Sequence, residues 1–295
     1  INFCMLTEVE SRSTDGSKTW PAFLGLTFDK PGGKTRLIKS VHNGPLYVQK
    51  LFYPEGLEHA HVYLLHPPGG LVSGDYLKIS IDVGENAGVF LTTPGASRIY
   101  KARKDNSVQR LEFDLKIGAN ALVEWFPLET IVFSGACSRI STKINLSEGS
   151  RFAGWDICSL GMPASFSGFD LGSFDQKYVL QQDGMPVYVD RLELCEHEKS
   201  LISKSAGLQG FMVSGFLILG PFVSSTESTI SRMRGIDFMA NSPHLTSITR
   251  VGNFLIGRYL GNSAEHAKKI FVNWWKLARP ILMQREFCEP RIWLT

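Results

Sequence analysis

The sequence predicts a mainly β protein: a β-helical scaffold of stacked strands with two α-helices, one of them near the C-terminus. Two observations carry this expectation. Apolar and polar residues alternate strictly over several segments, the period of a half-buried strand. The alternating segments also recur as strand–turn–strand units that read LKISIDVGENAGVFLTTP, LEFDLKIGANALVEWFP and ISTKINLSEGSRFAGWD. They start roughly 30 residues apart, in the range of stacked repeat architectures. A unit of two strands cannot bury its own faces and must stack on its neighbours, which favours a coil; an antiparallel sandwich is the rival arrangement.

Taken in order, strands are expected at 46–52 and 60–66, the second ending in the bend HPPGGLVSGD (66–75). The first unit places Leu77, Ile79, Ile81 and Val83 on one face. The second does the same with Leu111, Phe113, Leu115 and Ile117, and the third with Ile140, Thr142, Ile144 and Leu146. Further strands are expected at 178–182, 187–194, 208–219 and 248–259, with NGP (43–45) and DGMP (183–186) as turns. A helix is expected over 226–240, with Ile230, Met233 and Ile236 inward. Another begins at an Asn262 cap with Glu265 behind it. It carries Ala267, Ile270, Phe271, Trp274 and Ala278 as a stripe and stops at Pro280. Trp275 falls off that stripe beside Lys276 and is expected at the surface as a contact residue.

The chain has 295 residues, 43% of them apolar and 20% charged, enough for a sizeable core. No linker or low-complexity segment divides it, so residues 1–295 are expected to form a single domain. The net charge of +3 forms no long basic stripe, which argues against nucleic acid as a partner. The longest apolar stretch, FMVSGFLILGPFV (211–223), falls short of the roughly 20 residues that span a bilayer. The five cysteines are odd in number and contain no CxxC pair. That fits a reducing cytoplasm better than a disulfide framework or a zinc knot. INFCMLTEVE shows no signal-peptide pattern.

The glycines pose a chemical question. GGKT (32–35) resembles the end of a phosphate-binding loop, but Phe28 occupies the position of its leading glycine, and a polar turn between strands explains it better. GLVSG (70–74) misses the G-x-S-x-G elbow by one position, and a strand follows where that turn needs a helix. A phosphate cradle fails for the same lack of a helix N-terminus. What remains is a bend that delivers Asp75 to a strand start. His59 and His61, two apart on a strand, present both rings to one face, with His66 and Asp75 beyond. Imidazole and carboxylate suit nickel, zinc or copper; hydrogen-bonded histidines without a metal are the plainer reading. A β-rich, metal-dependent hydrolase using His59, His61 and Asp75 is the enzymatic alternative.

Several segments, in order along nearly the whole chain, resemble one family. They are YPEG (53–56), HPPGGLVSGD (66–75), LTTPGASRIYKA (91–102), VEWFPLETIVFSGA (123–136), RLEL (191–194), RYLG (258–261) and PRIW (290–293). The residues that carry the likeness include Glu55, Gly69, Gly70, Gly74, Pro94, Gly95, Tyr100, Trp125, Pro127, Arg258, Arg291 and Trp293. The chain is similar to the urease accessory protein UreD, called UreH in some organisms. It departs from the usual W-L-P-Q-E-T at Phe126 and Leu128, and lacks the Arg and Glu usual after Leu160 and Gly161.

The resemblance implies a non-enzymatic, cytoplasmic maturation factor with no permanently bound cofactor. It would bind the urease apoprotein, UreF and the GTPase UreG, within a dimeric UreD–UreF–UreG assembly, and pass nickel in transit. Weak, replaceable ligands serve such a route better than tight ones. Asp75, Glu129 and Asp156, each near a turn of a strand unit, are the acidic candidates, joined by His61 and His66. For each acid the plainer expectation is a hydrogen bond to nearby backbone.

Overall fold

The computed structural model describes residues 20–165, 167–195, 200–224, 226–236 and 243–294, and among them seventeen strands and three α-helices. β1 (Trp20–Asp29) and β2 (Arg36–Asn43) pair antiparallel around a turn at Pro31–Gly33. The GGKT segment is thus the polar turn that its residues suggest. β3 (Tyr47–Val48) is short, and β4 (His59–Leu65) carries the two histidines.

The strand–turn–strand units follow. β5 (Asp75–Val83) leads to β6 (Gly88–Thr92) and β7 (Ser97–Ile99). β8 (Gln109–Ile117) leads to β9 (Leu122–Phe126) and β10 (Thr130–Val132). β11 (Cys137–Leu146) leads to β12 (Arg151–Leu160). Their first strands pair in parallel, so that Leu77 faces Leu111 and Leu111 faces Ile140, with Ile81, Leu115 and Ile144 in a second row. Equivalent apolar positions therefore stack unit upon unit. Burying such a side chain is worth ~1.5–3 kcal/mol.

The remaining elements turn back antiparallel. β13 (Ser173–Gln182) and β14 (Met185–Leu194) form a hairpin, its turn made by Asp183 and Gly184 with φ of 49° and 79°. That pair of left-handed residues suits the twist of a tight hairpin. After α1 (Ser200–Ser203) come β15 (Val213–Gly220), α2 (Glu227–Arg234), β16 (Leu245–Val251), β17 (Phe254–Gly261) and α3 (Ala264–Leu282).

Two sheets result. One runs β14-β13-β11-β8-β5-β1-β2; the other runs β16-β17-β15-β12-β9-β6-β4-β3, with β7 and β10 attached beside β12. One core lies between the sheets, and a second between the longer sheet and the helices α2 and α3. The protein is mainly β, as the sequence predicts. The three repeat units step between the two sheets in parallel register, but hairpins reverse the chain at each end of them, so both sheets are mixed and open and a β-helical coil along the whole chain is not shown.

Other expectations need correction. The strand expected at 248–259 is a hairpin, β16 and β17, turned at Gly252 with φ of 56°. Among the described residues there are three α-helices, not two. α2 ends at Arg234 within the described residues, and 237–240 of the expected helix lie outside them. α3 is capped by Ser263, whose hydroxyl accepts from the His266 N–H at 3.1 Å, and not by Asn262. Pro280 does not stop it. The helix continues to Leu282, and because Pro280 and Lys276 both face outward, the carbonyl that proline leaves unbonded can turn to water. The cysteines Cys137, Cys158, Cys195 and Cys288 are free, and Cys4 lies outside the described residues. Among the described residues no helix is long and apolar enough to cross a membrane.

Candidate functional site

The densest group of titratable side chains lies where β4, β9 and α3 meet. His59 and His61 sit on one face of β4, both fully buried, their rings edge to face at 6.0 Å. On β9, Val123 and Trp125 face the core between the sheets, so the alternation turns Glu124 to the helix side, where it is fully buried. From α3, Trp275 and Arg279 reach in one turn apart, both fully buried. The expected surface position of Trp275 is therefore wrong. The apolar stripe is wide enough to include it, and its ring packs on Phe126 at 4.7 Å.

Hydrogen bonds close this group. Arg279 Nε and Nη2 donate to Glu124 at 2.9 and 2.8 Å, and Nη1 and Nη2 donate to Glu55 at 2.7 and 2.8 Å. Nη1 also reaches the Glu286 carbonyl. Trp275 Nε1 donates to Glu124 at 2.7 Å, and Arg285 Nη2 to the Glu55 carbonyl at 2.7 Å. His59 Nε2 lies 3.0 Å from Glu124 Oε2 and His61 Nε2 lies 2.7 Å from Glu55 Oε1. Fork-to-carboxylate pairing of this kind is strong and directional.

The electrostatics follow from those contacts. Burial pushes the Glu55 carboxyl up, but bonds from His61 and Arg279 outweigh it and hold the group at about 2. Burial likewise opposes ionisation of Glu124, and His59 and Arg279 keep it well below the ordinary carboxylate range. Burial pushes His61 down against the pull of Glu55. Burial works against the Arg279 charge, and Glu124 and Glu55 more than restore it.

Glu55, His59 and His61 are the one set among the described residues whose donor atoms gather closely enough for a metal ion. The set also closes on itself without an ion, and its two imidazole Nδ1 atoms are buried with no hydrogen-bond partner among the described residues. Both imidazole Nε2 atoms are committed to carboxylates, and the carboxylates are committed to Arg279, a fixed positive charge where a cation would sit. The cluster is a balanced polar core. Asp75 is not part of it, which leaves the hydrolase reading without its third residue.

Asp75 does stand at the start of β5, but its Oδ2 accepts the Val72 N–H at 2.8 Å and closes the glycine bend. Gly69 and Gly74 adopt φ of 74° and 84° there. Gly70 packs so tightly that a β-carbon would lie 2.5 Å from the Tyr100 ring. His66 borders a cavity of about 60 Å³ between the sheets, and burial pushes it down while Asp75 pulls it up. Glu129 is partly buried near Lys268, whose ammonium sits 4.7 Å over the Trp293 ring. Among these candidates His66 and Asp75 lie near each other, and neither belongs to the buried cluster that holds His61.

Asp156 sits beside the larger cavity. It shares a face of β12 with Phe152 and Cys158 and neighbours Gln176 and Tyr178, which line a cavity of about 430 Å³ between β13–β14 and β15–β17. Burial pushes its carboxyl up to about 7, with Gln176 working the other way. The Tyr178 hydroxyl there has no hydrogen-bond partner. At the cavity wall Arg258 Nη2 donates to Asp190 at 2.5 Å and to the Tyr188 hydroxyl at 2.7 Å.

The other motif residues are largely structural. Tyr100 stacks on Phe133 at 5.3 Å and Trp125 packs on Phe113 at 5.1 Å. The Pro127 carbonyl accepts from Trp155 Nε1 at 2.7 Å, and Trp293 Nε1 donates to Thr92 at 3.0 Å. Pro94, Gly95 and Arg291 are exposed. Glu124 and Arg279 went unread in the sequence. The available signal was a charge within each of two apolar patterns, VEWF and the α3 stripe.

These features define a mainly β protein with a clasped, charge-balanced interior and a separate polar cavity between its sheets. Residues 21–294 match the family model described as UreD urease accessory protein. The chain is 40% identical over 300 residues to a urease accessory protein UreD of Marinomonas sp., covering all of this chain and 94% of that one. It is 40% identical over 294 residues to one from Psychromonas ingrahamii, covering 94% of each. A third, from Dechloromonas aromatica, is 36% identical over 293 residues, covering 99% of this chain and 100% of its own. The chain belongs to the UreD urease accessory protein family.

Proposed function

We propose that this chain is a non-enzymatic urease maturation factor of the cytoplasm. It binds apo-urease together with UreF and the GTPase UreG, in an assembly containing two copies of each accessory protein, and helps deliver nickel to the urease active site. Nickel is cargo here and not a resident cofactor. Family membership supports the role in maturation, and the cavity beside Asp156 supports passage of a cation.

The observation that carries the second point is a cavity of about 430 Å³ whose polar wall includes Gln176 and Tyr178, the two side chains that adjoin Asp156. A carboxylate that ionises near neutrality, with a phenol oxygen and an amide beside it, supplies oxygen donors few in number and mobile enough to exchange. A hard-oxygen site of that sort holds nickel far less firmly than imidazole or thiolate would. His66 and Asp75, near the smaller cavity, and Glu129, nearer the surface, are further stations of the proposed route. His61, bound to Glu55, contributes by keeping the fold.

The test is activation of apo-urease by nickel, GTP, bicarbonate, UreF and UreG with and without this chain. Replacing Asp156 with Ala should lower the activation rate while leaving the complex with UreF intact. Wild-type activation by that variant would remove Asp156 from the route.

A further inference from the structure

The segment SRIYKARKD (97–105), six of whose nine residues belong to the LTTPGASRIYKA motif, has no part in the larger cavity or the buried cluster. It runs along the surface from β7 onward and exposes Arg98, Lys101, Arg103 and Lys104. With Asp105 counted, residues 98–105 carry four positive charges and one negative, a net of +3, equal to the net charge of the whole chain. Among the described residues Arg98, Lys101 and Lys104 make no ion pair, and Arg103 makes only the distant Asp105 contact at 4.0 Å.

The backbone under this ridge is pinned. The Leu71 N–H donates to the Arg98 carbonyl at 2.7 Å, the Tyr100 N–H to the Leu71 carbonyl at 3.0 Å, and the Ala102 N–H to the Gly135 carbonyl at 2.8 Å. The Arg103 N–H donates to Ser73 Oγ at 2.6 Å, and Arg103 Nη2 to the Ser73 carbonyl at 3.1 Å. Little backbone ordering is therefore left for a binding event to impose.

Those same contacts place two exposed apolar side chains at the ridge. Val72, next to Ser73, is 53% exposed; Leu171, whose carbonyl accepts from the Gly135 N–H at 2.8 Å, is 61% exposed. Asp170 beside Leu171 is the other exposed acid nearby, and Asp75 is occupied by Val72. Fixed charge flanked by apolar anchors is the composition of a protein-docking face, in which the charge steers the encounter and the anchors retain it. The ridge offers no exposed aromatic for base stacking, since Tyr100 is packed against Phe133.

We propose that this ridge, with Val72 and Leu171, is the docking face for an acidic surface of a protein partner. Under the maturation reading the first partner to test is the urease apoprotein, and to that extent the proposal rests on that reading. The experiment measures binding of apo-urease to the intact chain, to a Lys101→Glu, Lys104→Glu double variant and to a Lys143→Glu control. Arg103 is left in place because it supports the bend. The expected result is at least a tenfold loss for the double variant, none for the control, and wild-type binding that weakens steeply with salt.

Equal binding by wild type and double variant would overturn the docking face and leave the maturation reading standing. Failure of the wild type to bind apo-urease, together with failure to support its activation, would overturn both. Short duplex DNA and vesicles of phosphatidylcholine with phosphatidylglycerol serve as competing probes. Tighter capture of either through the same two lysines would overturn the protein assignment.

Discussion

Arg279 holds Glu55 and Glu124 at the same time, its Nη2 lying 2.8 Å from an oxygen of each. One side chain from α3 thus fastens the loop before β4 to the middle of β9. Removing it leaves two buried carboxylates without their counter-charge. Arg279→Met is expected to cost about 3–5 kcal/mol, read as a lowered urea midpoint. Changing Glu55 and Glu124 to Gln in the same background should recover part of that loss. A single variant as stable as wild type would refute the clasp.

Acid should loosen this region in two stages. His61 has a folded value below its ordinary 6.5, so the unfolded chain takes up the proton first. Its contribution is complete above 6.5 and is lost as pH falls through that value. Glu55 sits at about 2 against an ordinary 4.5, so its contribution is complete above 4.5 and disappears between 4.5 and about 2. The urea midpoint should decline from pH 7 to pH 5 and decline further below 4.5. His61→Gln should flatten the upper limb; an unchanged slope in that variant would contradict the assignment.

Asp156 should behave in the opposite sense. Its folded value of about 7 exceeds the ordinary 3.8, so it favours the fold below 3.8 and opposes it increasingly as pH rises towards 7. Asp156→Asn is therefore expected to stabilise the protein at pH 8 by ~1–3 kcal/mol. Thermal melts of the two proteins at pH 8 would show it, and a destabilised variant would sink the idea.

At the glycine bend, Gly70→Ala would bring a β-carbon to 2.5 Å from the Tyr100 ring and 2.8 Å from the Arg98 carbonyl. Overpacking of that order costs ~1–3 kcal/mol. The variant should melt earlier, and a Gly70→Ala, Tyr100→Leu double variant should recover part of the loss. A neutral single substitution would mean that the bend yields more easily than its contacts suggest.

The β character and the stacked units were legible in the sequence because period-two alternation survives wherever a strand has one apolar face, as in Leu77–Val83 and its two copies. What ends the parallel stack was not. Gly252 hides in an apolar run that reads as one strand, and only its backbone conformation makes a hairpin of it. The site was half legible. The spacing of His59 and His61 gives their common face, and Glu55, the partner of His61, is only six residues away, but Glu124 meets His59 from 65 positions away and Arg279 meets Glu55 from 224. No local pattern encodes such pairings. Asp75 misleads for the reverse reason: a carboxylate after a glycine bend has its nearest donor three residues behind it.

The measurement that bears most directly on the account is the rate at which apo-urease gains activity from nickel in the presence of UreF, UreG, GTP and bicarbonate. Adding this chain should raise that rate well above the reaction lacking it, and Asp156→Ala should remove most of the gain while still binding UreF. Equal rates with and without the chain would contradict the proposed function, and so would a urease activated fully by the Asp156→Ala protein for the route through its interior.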